Sequence, residues 1–460
     1  MTSSTSSPQE PPTQDATPDH PRLPEGLSGT AHPGGLPESL AGDPGHPVAR
    51  AAAASGAATA NTTASAAAIQ AWEAAYHNAE VEHGQEPFQA GLIPAPTPVR
   101  FLAPDGTRVD PVTDDYLEPG ADQLLECYRR MVIGRRFDIQ ATALTRQGRL
   151  AVYPSSRGQE ACQVGTMLAL AETDWVFPTY RESMALVSRG IDPVEVLTLL
   201  RGDAHCGYDP RAVRTAAQCT PLSTQLLHAA GLAYGERRQG RDTVALAFIG
   251  DGATSEGDFH EGMNFAAVFK APVVFVVQNN GWAISVPLSK QTAAPSLAYK
   301  GIGYGVVCEQ VDGNDAMAVL AVLNKAVWYA RSGRGPVLVE LHTVRVEAHT
   351  NADDQSRYRT ADEVEHAADH DPIRRLGRYL DGAGLLDEER IAAIDAQAEA
   401  LAADLRERLG GEPHVDPEEL FAHVYAQPTP QLLEQRDLVL AELAASVAGS
   451  ASASIEGGRH

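Results

Sequence analysis

Two short apolar runs, each stopping at a polar residue, constrain this chain more than any other feature. "TVALAFI", from Thr243, is partly β-branched and ends at Gly250; "APVVFVV", from Ala271, is its counterpart. Their length and composition predict buried strands. Between them "FHEGMNFAAVFK" has helical spacing, with Met263, Phe265, Ala266 and Phe269 expected on one side. Two such strands joined by a helix make a right-handed parallel unit. Asp251 comes just after the first run and Asn280 a few residues after the second. Both are therefore expected at carboxyl ends of neighbouring strands, the edge where open α/β sheets bind ligands.

The same alternation of helix and strand signals runs from about Asp114 to Arg345, which predicts an α/β class with a parallel sheet flanked by helices. "ADQLLECYRRMVIGRRFDIQATAL" reads as a long helix with Leu125, Tyr128, Met131 and Val132 facing inward. "PVLVELHTV", from Pro336, reads as a further buried strand. After Ala361 the pattern turns helical and acidic. The expected division is an α/β domain over 114–361, a helical extension of it over 362–446, and a frayed end in "SVAGSASASIEGGRH".

Residues 1–90 read differently. They are dominated by Pro, Ser, Thr, Ala and Gly, as in "AAAASGAATANTTASAAA", and cannot bury enough apolar surface to offset chain entropy. A disordered tail is expected, with a helix through "AIQAWEAAYHNAE" as the alternative. The stretch lacks the basic start and apolar core of a secretory signal.

A formal net charge of −24 argues against nucleic acid and anionic membrane surfaces as main partners. No apolar run approaches the ~20 residues needed to span a bilayer. The five cysteines, Cys127, Cys162, Cys206, Cys219 and Cys308, are odd in number and form no CxxC pair. They imply reduced thiols in a cytoplasm and no cysteine metal site.

At the strand ends, an aspartate and an asparagine oxygen suit a hard cation, and Mg²⁺ prefers few protein ligands plus phosphate oxygens. The adjoining helix start offers free amides and a positive dipole end, which together describe a diphosphate–Mg²⁺ site. The glycines at 250, 252 and 257 let backbone come close to phosphates, although "GDGATSEG" lacks the GxGxxG of a dinucleotide fold. The plainer alternative is that Asp251 caps the helix while Asn279 and Asn280 form a turn.

GDG followed about thirty residues on by NN is similar to the signature of thiamine diphosphate enzymes. With "SSRGQEACQVG", "DWVFPTYRES", "NNGWAISVP", "YGVVCEQVDGND" and "EAHTNADDQSRYR", the chain resembles the alpha subunit of the decarboxylating component of 2-oxo acid dehydrogenase complexes over roughly 114–361. The resemblance implies a thiamine diphosphate-binding fold. It implies that Asp251 and Asn280 ligate Mg²⁺ with the carbonyl of Trp282, and that Arg181 of the Tyr180–Arg181 pair meets the diphosphate. Gly250, Gly252 and Ala253 would lie against the cofactor, and Leu222 in "CTPLSTQ" would hold its pyrimidine folded over the thiazolium. His349 aligns with the family's active-site histidine, whose imidazole titrates near neutrality and passes protons. His342 reads as a satisfied core residue instead.

In this family the carboxylate that activates the cofactor belongs to a beta subunit, so half a site, an α2β2 heterotetramer, and a visiting lipoyl domain are implied. The sequence departs from the commoner pattern at "CGYDPRAVRTAAQ", where a second site histidine is missing or supplied by His205. Thr350 stands where animal members carry a regulatory serine, so control by phosphorylation does not carry over. The resemblance leaves room for a potassium ion at Thr224 and Gln225, with Cys219 where relatives offer a hydroxyl. "NNGWAISVP", "VDGND" and "TNADDQSRYR" lean toward branched-chain 2-oxo acids as substrates; pyruvate is the alternative. A self-contained thiamine decarboxylase and a non-catalytic diphosphate-binding scaffold are the readings from other classes.

Overall fold

The two apolar runs do become neighbouring parallel strands. In the computed structural model, which describes residues 93–109, 115–203, 205–411 and 416–456, the main sheet is built from β1 (Trp175–Phe177), β2 (Ala245–Gly250) and β3 (Val273–Asn279). A short antiparallel pair follows, β4 (Trp282–Ala283) with β5 (Val286–Pro287). β6 (Val307–Asp312) and β7 (Val337–His342) complete the sheet in the order β1-β2-β3-β7-β6, every pairing parallel. Every described residue belongs to one compact unit. The tail expected over 1–90 lies outside the described residues.

Side-chain alternation along the strands feeds two cores, one on each face of the sheet. Leu246 and Phe248 of β2 join Val274 and Val276 of β3 on one face. Ala245, Ala247 and Ile249 join Val273, Phe275 and Val277 on the other. Burial on both faces is why the runs are continuously apolar. The first face is covered by α1 (Ala121–Arg146), α2 (Glu160–Leu168), α3 (Ser183–Arg189) and α4 (Pro193–Arg201). The second face is covered by α5 (Thr224–Arg238) and α6 (Gly257–Val268); α7 (Ala316–Arg331) returns to the first.

The helical end-piece comprises α8 (Ala361–Asp369), α9 (Pro372–Gly382), α10 (Glu388–Arg408), α11 (Glu419–Ala422) and α12 (Pro430–Glu456). Its last helix continues through Glu456, where a frayed end was expected from 446 onward. The alanines in "SVAGSASAS" are strong helix formers and carry the helix past the serines and glycine.

Two inward faces differ from expectation. On α6, Met263 and Ala266 are buried with Phe259 and Gly262, but Phe265 is 53% and Phe269 44% exposed. Successive helical positions turn by about 100°, so Phe265 stands roughly 200° from Met263, on the opposite side. On α1 the buried line runs through Leu124, Cys127, Met131, Gly134 and Phe137, while Leu125, Tyr128 and Val132 are half-buried.

Candidate active site

Register sets the site. β2 and β3 pair Gly250 with Gln278, and β3 and β7 pair Asn279 with His342, so the residues that follow each strand share one edge. A cavity of about 570 Å³ opens there, lined by Gly250–Ala253, Asn280, Trp282, Tyr180, Arg181, Leu222 and His349, with Gln159, Glu182, Glu256 and Gln278. Every residue that the resemblance assigns to thiamine diphosphate, Mg²⁺ or catalysis is among them; Thr224 and Gln225, named for a potassium ion, are not. His205 is not: it is exposed, and its Nδ1 accepts from the Gly207 amide at 3.1 Å.

Asp251 is only 2% exposed and has no ion pair among the described residues. Its Oδ2 accepts from Gln291 Nε2 at 2.7 Å. Burial pushes its carboxyl above the usual range, against the pull of that hydrogen bond. The capping alternative does not hold, because Asp251 makes no side-chain cap and α6 begins after Glu256. Between them Gly252–Ser255 form a 3₁₀ turn, whose first amides have no earlier carbonyl within the turn to bond. Ser223 Oγ donates to Ala253 O at 2.7 Å and Lys300 Nζ to Thr254 O at 2.9 Å, which fixes the turn from behind. Gly252 is required there, since an added Cβ would lie 2.6 Å from Ala283 Cβ.

The two asparagines have separate roles. Asn279 donates to Glu340 Oε1 at 2.7 Å and accepts from the Gly281 amide at 3.0 Å, so it is the turn former. Asn280 lines the cavity, and its Oδ1 accepts from the Trp282 amide at 3.1 Å. Leu222 is not a core leucine: it is 40% exposed and faces the cavity.

Arg181 is buried and reaches across the cavity wall. Its Nη1 donates to Ser155 O at 2.8 Å, and its Nη2 stands 3.0 Å from His349 Nδ1 and 3.1 Å from His349 O. A guanidinium can only donate, so Nδ1 accepts and the imidazole proton resides on Nε2. The His349 amide donates to Asp353 Oδ2 at 2.9 Å, which orients the loop. Tyr180 meets the imidazole edge-on, with ring centroids 5.9 Å apart. Burial, then the charges of Arg181 and Arg345, pull His349 down to about 4. The expected titration near neutrality is thereby displaced to acid.

Several residues escaped the sequence reading. Arg345, 1% exposed, donates to Ile284 O at 2.9 Å and to the Tyr358 hydroxyl at 2.8 Å; its place four residues before His349 gives no signal by itself. Gln291 and Gln278 are ordinary polar residues in the sequence. Glu182 is buried; its Oε2 accepts from the Thr179 amide at 2.6 Å and its Oε1 from Gln278 Nε2 at 2.6 Å. Outside the cavity, His342 Nε2 stands 3.0 Å from Gln310 Oε1, so it is partnered as expected, but it is half-buried at the strand's end and not a core residue. Thr224 Oγ1 donates to Asp258 at 3.0 Å and Gln225 Nε2 to Phe248 O at 2.8 Å, while Gln225 Oε1 is buried without a partner among the described residues. No described helix is long and apolar enough to cross a membrane.

Comparison with known proteins gives the same direction. The family described as "Dehydrogenase E1 component" matches residues 128–417. The chain is 46% identical to the 3-methyl-2-oxobutanoate dehydrogenase subunit alpha of Mycobacterium tuberculosis over 349 residues, 75% of this chain and 94% of that one. It is 39% identical to the pyruvate dehydrogenase E1 component subunit alpha of Acholeplasma laidlawii over 328 residues, 70% of this chain and 95% of that one. The Staphylococcus aureus protein of the same name is 40% identical over 280 residues, 61% of this chain and 76% of that one. With more than half its length matched and its strand-end motifs gathered at one cavity, the chain belongs to the dehydrogenase E1 component family.

Proposed function

We propose that this chain is the alpha subunit of the decarboxylating component of a 2-oxo acid dehydrogenase complex. It acts on branched-chain 2-oxo acids and passes the acyl group to a lipoyl domain. The observation that carries the reading is the cavity that gathers Asp251, Asn280, Arg181 and His349 at the carboxyl edge of one parallel sheet. Thiamine diphosphate supplies, when bound, a thiazolium carbon that adds to the ketone of the substrate and takes up the electrons left by carbon dioxide.

The residues present fit that cofactor and Mg²⁺. A buried carboxylate without an ion pair is costly, and a cation at Asp251 offsets the cost. Asp251, Asn280 and the Trp282 carbonyl offer oxygen donors of the kind Mg²⁺ prefers. Arg181 suits the diphosphate, being planar and permanently charged. Gly250, Gly252 and Ala253 let backbone lie close to it. For a potassium ion, the support is the unpaired acceptor Gln225 Oε1. Tyr180 and Leu222 shape the apolar part of the cavity.

His349 presents a proton on Nε2 and is held by Arg181 through Nδ1. Neutralising Arg181 with a bound diphosphate removes one of the two charges that depress the imidazole, raising it toward the range useful for passing protons. Both oxygens of Glu182 are engaged, so Asp251 is the only other buried carboxylate lining the cavity among the described residues. That supports a site completed by a beta subunit, in an α2β2 assembly.

A branched side chain suits the apolar wall of Val152, Pro154, Leu200 and Ile284, and the relative at 46% identity is named for such an acid. Pyruvate is the second reading, favoured by the relatives named for it at 39% and 40%. The experiment is release of carbon dioxide from a panel of 2-oxo acids by this chain with its beta subunit, thiamine diphosphate and Mg²⁺. Fastest turnover is expected on a branched-chain acid, with none from the chain alone. Fastest turnover on pyruvate would select the second reading, and none on any 2-oxo acid would leave a non-catalytic subunit.

A further inference from the structure

The polar residues from Ser155 to Gln163 have internal partners, with one exception. Ser155 Oγ donates to Asp138 Oδ2 at 2.6 Å, Ser156 Oγ to Arg181 O at 2.7 Å, and Arg157 Nη1 to Glu347 Oε1 at 2.8 Å. Glu160 pairs with Arg135 at 2.6 Å. Gln163 donates to Arg181 O at 3.1 Å and accepts from the Ala185 amide at 3.1 Å. Gln159 is 1% exposed, and neither its Oε1 nor its Nε2 has a hydrogen-bond partner among the described residues. It lines the same cavity as Asp251 and His349. A buried amide without partners has given up its bonds to water for nothing, and a native protein seldom keeps one without a use.

The backbone holds this side chain in place. The Gln159 amide donates to Ser156 O at 2.9 Å and its carbonyl accepts from the Gln163 amide at 3.1 Å. Just ahead, Gly158 has φ +96°, and an added Cβ would meet Val344 O at 2.4 Å. The Gly158 carbonyl accepts from Asn314 Nδ2 and Thr343 Oγ1, both at 2.9 Å. Among the cavity's other lining residues, Val152, Pro154 and Leu200 are apolar and offer no hydrogen bond.

Resting on the function proposed above, we infer that Gln159 recognises the carboxylate of the 2-oxo acid, with Nε2 donating to a carboxylate oxygen. The chemistry favours a neutral donor. The carboxylate's charge is lost from that group as the C–C bond to carbon dioxide breaks. A guanidinium there would stabilise the ground state more than the transition state and raise the barrier. An amide orients the group with less of that penalty. Arg181, a guanidinium, carries that penalty, and the function proposed above already gives it to the diphosphate.

The test uses this chain assembled with its beta subunit and loaded with thiamine diphosphate and Mg²⁺. Parent, Gln159→Leu and Gln159→Glu are compared in dye-linked decarboxylation of a branched-chain 2-oxo acid. They are also compared in inhibition by the methyl ketone bearing the same side chain, and in calorimetric binding of the cofactor. Gln159→Leu should lose about 10- to 100-fold in kcat/KM for the acid, the loss typical of a hydrogen bond to a charged group. Gln159→Glu should lose more, because like charges repel. Both should bind cofactor and ketone within about twofold of parent, since neither contact involves the substrate carboxylate. Acid and ketone weakened together would make Gln159 a structural residue and overturn the inference. So would unchanged kcat/KM, or a loss of cofactor affinity, which would assign the amide to the cofactor. If Gln159→Leu fails to assemble, Gln159→Met carries the same expectations. A parent that turns over no 2-oxo acid would end the proposed function and this inference with it; an active parent with unaffected variants ends the inference alone.

Discussion

The proton on His349 Nε2 gives this residue two measurable consequences. Its pKa is held down to about 4, from an ordinary 6.5, by burial and by the charges of Arg181 and Arg345. As pH falls from 6.5 the unfolded chain takes the proton first, so this contribution to stability is intact above 6.5 and is lost as pH drops toward 4. His349→Gln should therefore lose less stability than parent across that window, read from urea midpoints of the chain without cofactor. Identical slopes for the two would remove the histidine from the acid sensitivity. The second consequence is catalytic. Transfer of the acyl group to a lipoyl sulfur needs a positioned acid, whereas decarboxylation draws mainly on the cofactor. His349→Ala should fall by ~10²–10⁴-fold in lipoyl acylation and by much less with an artificial electron acceptor. An equal loss in both assays would contradict that division. Asp251 and Asn280 are legible in the sequence because a polar residue that closes a buried apolar run marks the carboxyl edge of the sheet. Leu222 and His349 are legible only through resemblance, since a leucine and a loop histidine are commonplace. Gln159, Gln291 and Arg345 are not legible: what distinguishes them is set by the packed structure, a buried amide without partners for Gln159, a hydrogen bond to Asp251 for Gln291 and burial beside His349 for Arg345.

Among the elements, the turn between β2 and α6 is a tight point of the site. Gly252 has no room for a Cβ because Ala283 of β4 presses on it from the strand that follows Asn280. The contact ties the Asp251 edge to the Asn280 edge. Gly252→Ala should weaken cofactor binding by about 10-fold or more, in keeping with the ~1–3 kcal/mol of overpacking, and Ala283→Gly added to it should restore most of the loss. Full affinity in Gly252→Ala, or no rescue, would show that the two edges are not coupled there. Strands were readable because burial on both faces leaves them continuously apolar, and their carboxyl ends could be placed to within a residue or two. Helix faces were less readable. Phe265 and Phe269 carry the same apolar signal as Met263 and Ala266, yet they stack on each other at 5.9 Å on the outer side of α6. Apolar residues on two sides of one helix leave the inward side undetermined until its neighbours are known.

For the whole molecule, family membership and the cavity fit the enzyme half proposed above: a sheet edge with oxygen donors, a buried arginine and a histidine beside it, but no free glutamate buried with them among the described residues. The exposed Phe265, Val268 and Phe269 add an apolar outer face that a monomer ordinarily avoids. The α/β pattern identified the stretch that builds this machinery. Everything proposed for the site depends on one pair of strand ends holding one ion and its diphosphate. Isothermal calorimetry of thiamine diphosphate with Mg²⁺, titrated into the chain assembled with its beta subunit, tests that dependence directly. The parent should bind with Mg²⁺-dependent heat, and Asp251→Ala should show none while keeping the assembly intact; binding by Asp251→Ala as tight as the parent's would contradict the account.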